Sequence, residues 1–433
     1  MSLFAKYTFG RVSRSRLAVS WVFFANGAAL GSWVPHLPDA KHALALTDGI
    51  LGFALLAMAA GSLLGLPLSG ALTARFGSRA TTTVSILGVV LASPLPMLAP
   101  SLPIFTLTLA LLGVANGGVD VAMNAQAIAI EERVGRPIMS SFHGLFSAGG
   151  LVGAMGAALA MSGGLGSRAH LLASAAGLFL VSVGAVAFLL PTAISSAARS
   201  PMFRLPRGPL LGLGVLALCA LLAEGAIGDW AAVYLRDYAG TSPELAALGF
   251  AAFSLAMTAG RLLGDGAVRR YGGPRVLSAG AGVAAALLTT GLLAGGPWVM
   301  LLGFAAVGLG LANAVPILFS AAGKLTAVPP SIGIAAVSTA GYCGFLLGPP
   351  VIGLVAERFG LGTGLGLVVI ALAAIAVSGS AHSRPADCAA GSLREIFAVQ
   401  HVHDEVTKWM ESSNELQRLN SALVRQRLSG RTS

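Results

Sequence analysis

Twelve long apolar runs follow one another between positions 16 and 381, and a chain patterned this way has few places to fold other than a bilayer. The runs fall near 16–35, 49–73, 80–98, 103–130, 138–162, 169–191, 209–235, 245–267, 275–295, 297–322, 331–356 and 361–381. A helix needs about 20 apolar residues to cross the hydrocarbon core, and a helix satisfies its own backbone hydrogen bonds there. Only 10% of the 433 residues are charged, against about 25% in a soluble domain, so a soluble globular enzyme is excluded. The spacing predicts an all-α membrane protein with twelve transmembrane helices.

The formal charge of +10 does not call for a nucleic-acid partner, because the basic residues are sorted by side. With the N-terminus placed in the cytoplasm, 22 Lys and Arg fall in cytoplasmic segments. Four fall outside, Lys41, Arg168, Arg236 and Arg358, and Arg261 lies within a span. This is the positive-inside bias, and it predicts that both termini are cytoplasmic. No small-x-small cleavage site closes the first run, which therefore reads as a retained helix rather than a signal peptide. Cys219, Cys343 and Cys388 stand far apart with no metal-ligand spacing, so neither a disulfide framework nor a metal site is expected.

The chain is duplicated with a shift of about 197 residues. LGFALLAMAAGSLLG from Leu51 is answered by LGFAAFSLAMTAGRLLG from Leu248, and NGAALGSW from Asn26 by EGAIGDW from Glu224. GVANG from Gly113 is answered by GLANA from Gly310, and Arg75-Phe76-Gly77 by Arg270-Tyr271-Gly272. A unit with an even number of crossings repeats in the same orientation, which gives two parallel six-helix repeats about an axis along the membrane normal. The expected units are a first half at 1–191, a cytoplasmic linker at 192–208, a second half at 209–381 and a tail at 382–433.

This layout resembles the major facilitator superfamily over residues 15–381. The loop signature of that family, Gly-x-Leu-Ala-Asp-Arg-x-Gly-Arg, appears here from Gly70 through Arg75 and Gly77 to Arg79, with Ala74 where the family has Asp. Its second copy centres on Arg270 and Gly272. The stretches Asp120–Ala154 and Glu224–Asp237 resemble a bacterial subgroup of the family that includes YbjJ and MosC, the membrane protein of the rhizobial rhizopine locus. The resemblance implies a bacterial inner-membrane transporter, with a rhizopine, an amino-polyol or its precursor as the implied solute.

Polar residues inside spans are costly and need a partner or an aqueous cavity. Glu224, midway along span 7, is the first candidate for binding a proton or cation; the plainer reading is a neutral acid bonded to a neighbouring helix. Asp120 is the second, flanked at four-residue spacing by Asn116 and Asn124, which puts all three on one helix face; helix–helix glue is the alternative. Asn26 and Asn313 occupy the repeat positions of Glu224 and Asn116 and are candidate cavity residues. Asp229 is read as interfacial or capping as readily as solute-binding. Trp33 and Trp230 fit an outer aromatic belt or a stacking platform for a sugar ring. Arg261 and Asp265, four apart, can pair along span 8 as a gating or structural ion pair. His143 opens span 5 as a possible relay or a backbone-bonded helix end.

No nucleotide-binding loop, catalytic triad or metalloprotease motif occurs, so neither an enzyme nor a cofactor is expected. The expectation is a secondary transporter moving a polyol, amino-polyol or sugar by alternating access, coupled to protons or another ion. No arginine is expected at the cavity level, which disfavours an anionic solute. The alternatives are proton-driven efflux of amphiphilic cations, or a receptor signalling through the tail. There Val402, Trp409, Leu416 and Leu423 recur every seven residues, as on an amphipathic helix that docks to the protein, a partner or the lipid surface.

Overall fold

Spans 2 and 3 meet at Gly77, and the way they meet sets the pattern for the whole chain. The computed structural model describes residues 3–135, 138–191, 205–325 and 328–381; the tail and most of the expected linker lie outside them. Helix α1 (Leu3–Trp33) leads through a 3-10 turn (Val34–His36) into the short α2 (Leu37–Ala43). Helix α3 (Asp48–Ala92) then runs for 45 residues, broken only where Gly77 takes φ 81° and ψ 158°. At 1.5 Å per residue it is about twice the length that one crossing needs, so its two arms, before and after Gly77, are two spans.

The remaining helices are α4 (Leu95–Leu98), α5 (Leu102–Val134), α6 (Met139–Ser162), α7 (Ser167–Val186), α8 (Pro209–Val233), α9 (Pro243–Tyr271), α10 (Gly273–Ala294), α11 (Pro297–Leu311), α12 (Ala314–Gly323), α13 (Pro330–Phe359) and α14 (Leu361–Ala381). Eleven described helical stretches are long and apolar enough to cross a membrane, and the 51-residue stretch Asp48–Leu98 among them supplies two crossings. Prolines start α5, α9 and α11 within the first turn, where a missing N–H costs no helical bond. Span 7 is prolonged by a π-turn (Tyr234–Tyr238). Span 10 is divided into α11 and α12 at Ala312 and Asn313, and Asn313 donates its amide to the Gly260 carbonyl at 2.9 Å.

The duplication is visible in the geometry. Gly272 repeats the positive φ of Gly77 at 81°, a conformation natural to a residue without Cβ. Arg75 lies over the Phe76 ring at 5.2 Å, and Arg270 over the Tyr271 ring at 5.3 Å. Helix α1 packs along α6 as α8 packs along α13, and α3 along α5 as α9 along α11. The α1–α6 contact is backbone to backbone: a Cβ on Gly27 would fall 1.9 Å from the Phe146 carbonyl oxygen, and one on Gly149 2.1 Å from that of Phe24. Small residues allow this approach where no hydrophobic effect drives helices together. The halves meet mainly along α6–α9 and α3–α13.

Candidate functional site

Two polar clusters lie midway along the helices, each built on one of the expected acids. In the first, α9 carries Arg261 to Glu224 on α8, with Nη2 3.7 Å from Oε1. The same guanidinium crosses to the first half on α6. There Nη1 donates to Ser147 Oγ at 2.6 Å and to the His143 carbonyl at 3.2 Å. A planar fork of five donors suits one residue to this triple task. The two side chains retain 17% and 22% exposure, so the pair borders open space rather than a sealed core.

This arrangement corrects the local pairing of Arg261 with Asp265. Asp265 is exposed, and among the described residues the ion-pair partner of Arg261 is Glu224. Helical spacing permits the local pair, but an attraction between groups withdrawn from water is stronger than one in solvent. The expectation that no arginine reaches the cavity level falls with it.

The second cluster centres on Asp120. Asn124 Nδ2 donates to the Asp120 carboxylate at 3.1 Å and to its carbonyl at 2.8 Å. From the other half, Tyr342 on α13 donates its hydroxyl to Asp120 Oδ2 at 3.3 Å. No cation lies within salt-bridge distance of Asp120 among the described residues. Asn116, on the same face of α5, is half-buried without a hydrogen-bond partner there. Tyr342 and Ser147 were not singled out from sequence. One of only five tyrosines in the chain, set mid-span, was the available signal for Tyr342.

The other expected site residues divide. Asn26 is 2% exposed, with its Oδ1 unpartnered. Asn313 is engaged structurally at the α11–α12 break. Asp229 is half-buried without a partner among the described residues, and it caps nothing, because its helix continues through Val233 and the π-turn. Trp33 and Trp230, at 1% and 0% exposure, form no aromatic belt. Trp33 packs against Phe105 at 6.2 Å, and Trp230 lies beside Gly353 on α13. The ring of His143 meets Phe23 edge-on at 5.3 Å, and its carbonyl is the group that Arg261 uses.

A third network, absent from the sequence reading, closes the end of the bundle that carries α2. Lys41 bridges Asp48 Oδ1 at 2.6 Å and Asp237 Oδ2 at 2.7 Å. His42 Nε2 lies 2.8 Å from Asp237 Oδ1, Tyr238 donates to Asp48, and the Gly49 N–H donates to Glu357 Oε2 at 2.7 Å. All but the Lys41–Asp48 contact join first half to second. Nearby, buried His36 and His170 share a 2.9 Å contact, and Asp39 accepts from Ser167 and faces His36.

At the opposite end, near Gly77, the hydrogen bonds of Arg79, Gln126 and Glu131 among the described residues stay within one half. Arg79 donates to the Ala187 carbonyl at 2.9 Å. Gln126 binds Ser78 and both backbone groups of Leu190. Glu131 accepts the N–H groups of Ile138 and Met139 and so caps α6. Gly70, the first residue of the loop motif, is half-buried in the first arm of α3.

No protein-family model matches the chain. It is 39% identical over 364 residues to an uncharacterised MFS-type transporter of Yersinia pestis, covering 84% of this chain and 94% of that protein. It is 37% identical over 345 residues to the membrane protein MosC of Rhizobium meliloti, covering 80% of this chain and 84% of that one. In structure it is similar to a mutant form of the nucleoside transporter NupG. The TM-score is 0.66 at 16% identity, over 85% of this chain and 99% of that one.

Proposed function

The chain belongs to the major facilitator superfamily of membrane transporters, and from that premise we propose that it moves a small polar solute by proton-coupled alternating access across the bacterial inner membrane. The observation that carries this reading is the pair of mid-membrane acid clusters, each with a hydrogen bond between halves. Tyr342 of the second half holds Asp120 of the first, and Arg261 ties Glu224 to Ser147.

A proton on Glu224 removes the charge that holds Arg261, and a proton on Asp120 weakens its acceptance from Tyr342, since hydrogen bonds to charged groups are the stronger kind. Either event loosens a contact that must break if the halves rock. Asp120 needs to break no ion pair to exchange its proton, which supports a coupling role beside Glu224. On the face of α5 that carries Asp120, Asn116 and Asn124 offer amide donors and acceptors suited to hydroxyl groups. Arg261 is already neutralised by Glu224, so the acids leave the site neutral to acidic, which favours a polyol, amino-polyol or sugar over an anion. An amino-polyol such as a rhizopine or its precursor has both the hydroxyls and the cationic group that such a site recognises.

The sequence's charge bias supports an orientation with the α2 end outside and the Gly77 end in the cytoplasm. The α2 end is the one stitched shut between halves, so the conformation reads as inward-facing.

Proteoliposomes with an internal pH indicator test the proposal, with polyols, inosamines, sugars and organic cations added in turn. The expected result is solute-driven proton movement that disappears in Glu224→Gln and in Asp120→Asn while solute binding persists. Saturable solute flux without proton movement would remove the coupling. Proton movement driven by amphiphilic cations alone would replace the solute class.

A further inference from the structure

The two halves differ at one place where their duplication predicts sameness. In the second half, the Ser278 hydroxyl of α10 donates directly to the Ala376 carbonyl of α14, and a Cβ on Gly282 would sit in ordinary contact, 3.7 Å from the Ala376 Cβ. In the first half the corresponding helices are the second arm of α3 and α7, and the group that joins them is the long side chain of Arg79, through Nη2 to the Ala187 carbonyl. Thr83, which stands at the repeat position of Ser278, bonds back to the Arg79 carbonyl of its own helix at 2.8 Å instead of crossing to α7. Between the two helices lies a groove of about 480 Å³, lined by Phe76, Thr83, Val84, Val183, Val186 and Arg79 among others.

The groove faces the lipid. Its wall α7 is the least buried of the membrane-length helices, at 22% against 72% for the stretch that contains α1. Phe76, Val84 and Val183 are 58%, 68% and 47% exposed. At the Gly77 end it carries positive charge: among the described residues Arg79 gives one of its five donors to the Ala187 carbonyl, and Arg75 lies over the ring of Phe76 on the rim. Among the described residues no acidic side chain lines it. An apolar trough along the membrane with a guanidinium at its polar end is complementary to a chain-bearing molecule with an anionic head.

We infer that the groove between the second arm of α3 and α7 binds an anionic phospholipid, with the phosphate at Arg79 and Arg75 and an acyl chain along Val84 and Val183. The occupant supplies apolar contact where the second half has direct helix packing. This site is separate from the mid-membrane clusters and does not depend on what the protein transports. Basic pockets between membrane helices recognise lipid headgroups by this chemistry.

The test uses the full-length protein purified in detergent, with phosphatidylglycerol or phosphatidylcholine of identical chains added, and reads retained lipid by native mass spectrometry and melting temperature. Phosphatidylglycerol is expected to be retained over phosphatidylcholine by about fivefold for each arginine engaged. Arg79→Ser should lose most of that preference, and Arg79→Lys should keep it in part. Val84→Trp fills the groove while leaving the charge, and should reduce retention of both lipids. Equal retention of the two lipids by the wild type overturns the inference, as does an unchanged preference in Arg79→Ser. Glycerol phosphate competing as well as the whole lipid would leave a phosphate site without a lipid groove, and overturns it too. If Arg79→Ser does not fold, the wild-type comparison and Val84→Trp still decide.

Discussion

The two ends of the bundle are built from the same repeated sequence yet are held together in opposite ways. At the α2 end, Lys41, His42, Asp48 and Gly49 of the first half reach Asp237, Tyr238 and Glu357 of the second. At the Gly77 end the hydrogen bonds of Arg79, Gln126 and Glu131 brace single halves. The first kind of contact has to break for the halves to part, and the second kind keeps each half rigid while they do. One end is thus organised as a latch and the other as a frame.

Three substitutions separate these roles. The largest effect is expected for Lys41→Met. Its ammonium is shared by two carboxylates at 6% and 13% exposure, and removing one partner of a buried pair costs about 3 kcal/mol or more. That is more than a hundredfold in the balance between a closed and an open α2 end. Spin-label distances between α2 and the end of α13 should lengthen, and an unchanged distance distribution would refute the latch. Gln126→Ala should do the reverse. It strands a buried Leu190 N–H and so lowers stability by about 2 kcal/mol, read as a lower melting temperature with the α2-end distances unchanged. Opening of the α2 end in this variant would show that frame and latch are not separable. The smallest effect belongs to His42→Ala, whose side chain is 53% exposed. Exposed pairs contribute under about 1 kcal/mol, so the same distances should shift by less than about fivefold in population.

Much of the architecture was legible from the chain alone. The twelve crossings, the duplication and the paired Arg-aromatic-Gly loops follow from apolar run length and from self-similarity, which are local quantities. The acids of the mid-membrane site were legible for the same reason: Glu224 and Asp120 stand out in apolar helices because such groups are costly there. Their partners were not. Arg261 was read against Asp265, its neighbour along the helix, because sequence spacing reports only contacts within one element. Its actual neighbours, Glu224 and Ser147, lie 37 and 114 positions away. Trp33 and Trp230 were read as belt or stacking platform and lie in the core, because span position does not tell which face of a helix looks to lipid.

The latch shows the limit most clearly. Lys41, Asp48, Asp237 and Glu357 each read as an ordinary charge near the end of a span, and nothing in the order of residues says that they meet. Sequence by itself determined how many times the chain crosses, where it repeats and which polar groups are held in the membrane, since each follows from the cost of removing a local group from water. Tertiary structure alone decided which half each group touches and which end is closed. Those outcomes depend on how helices distant in sequence rotate and pack against each other, and no single helix carries that information.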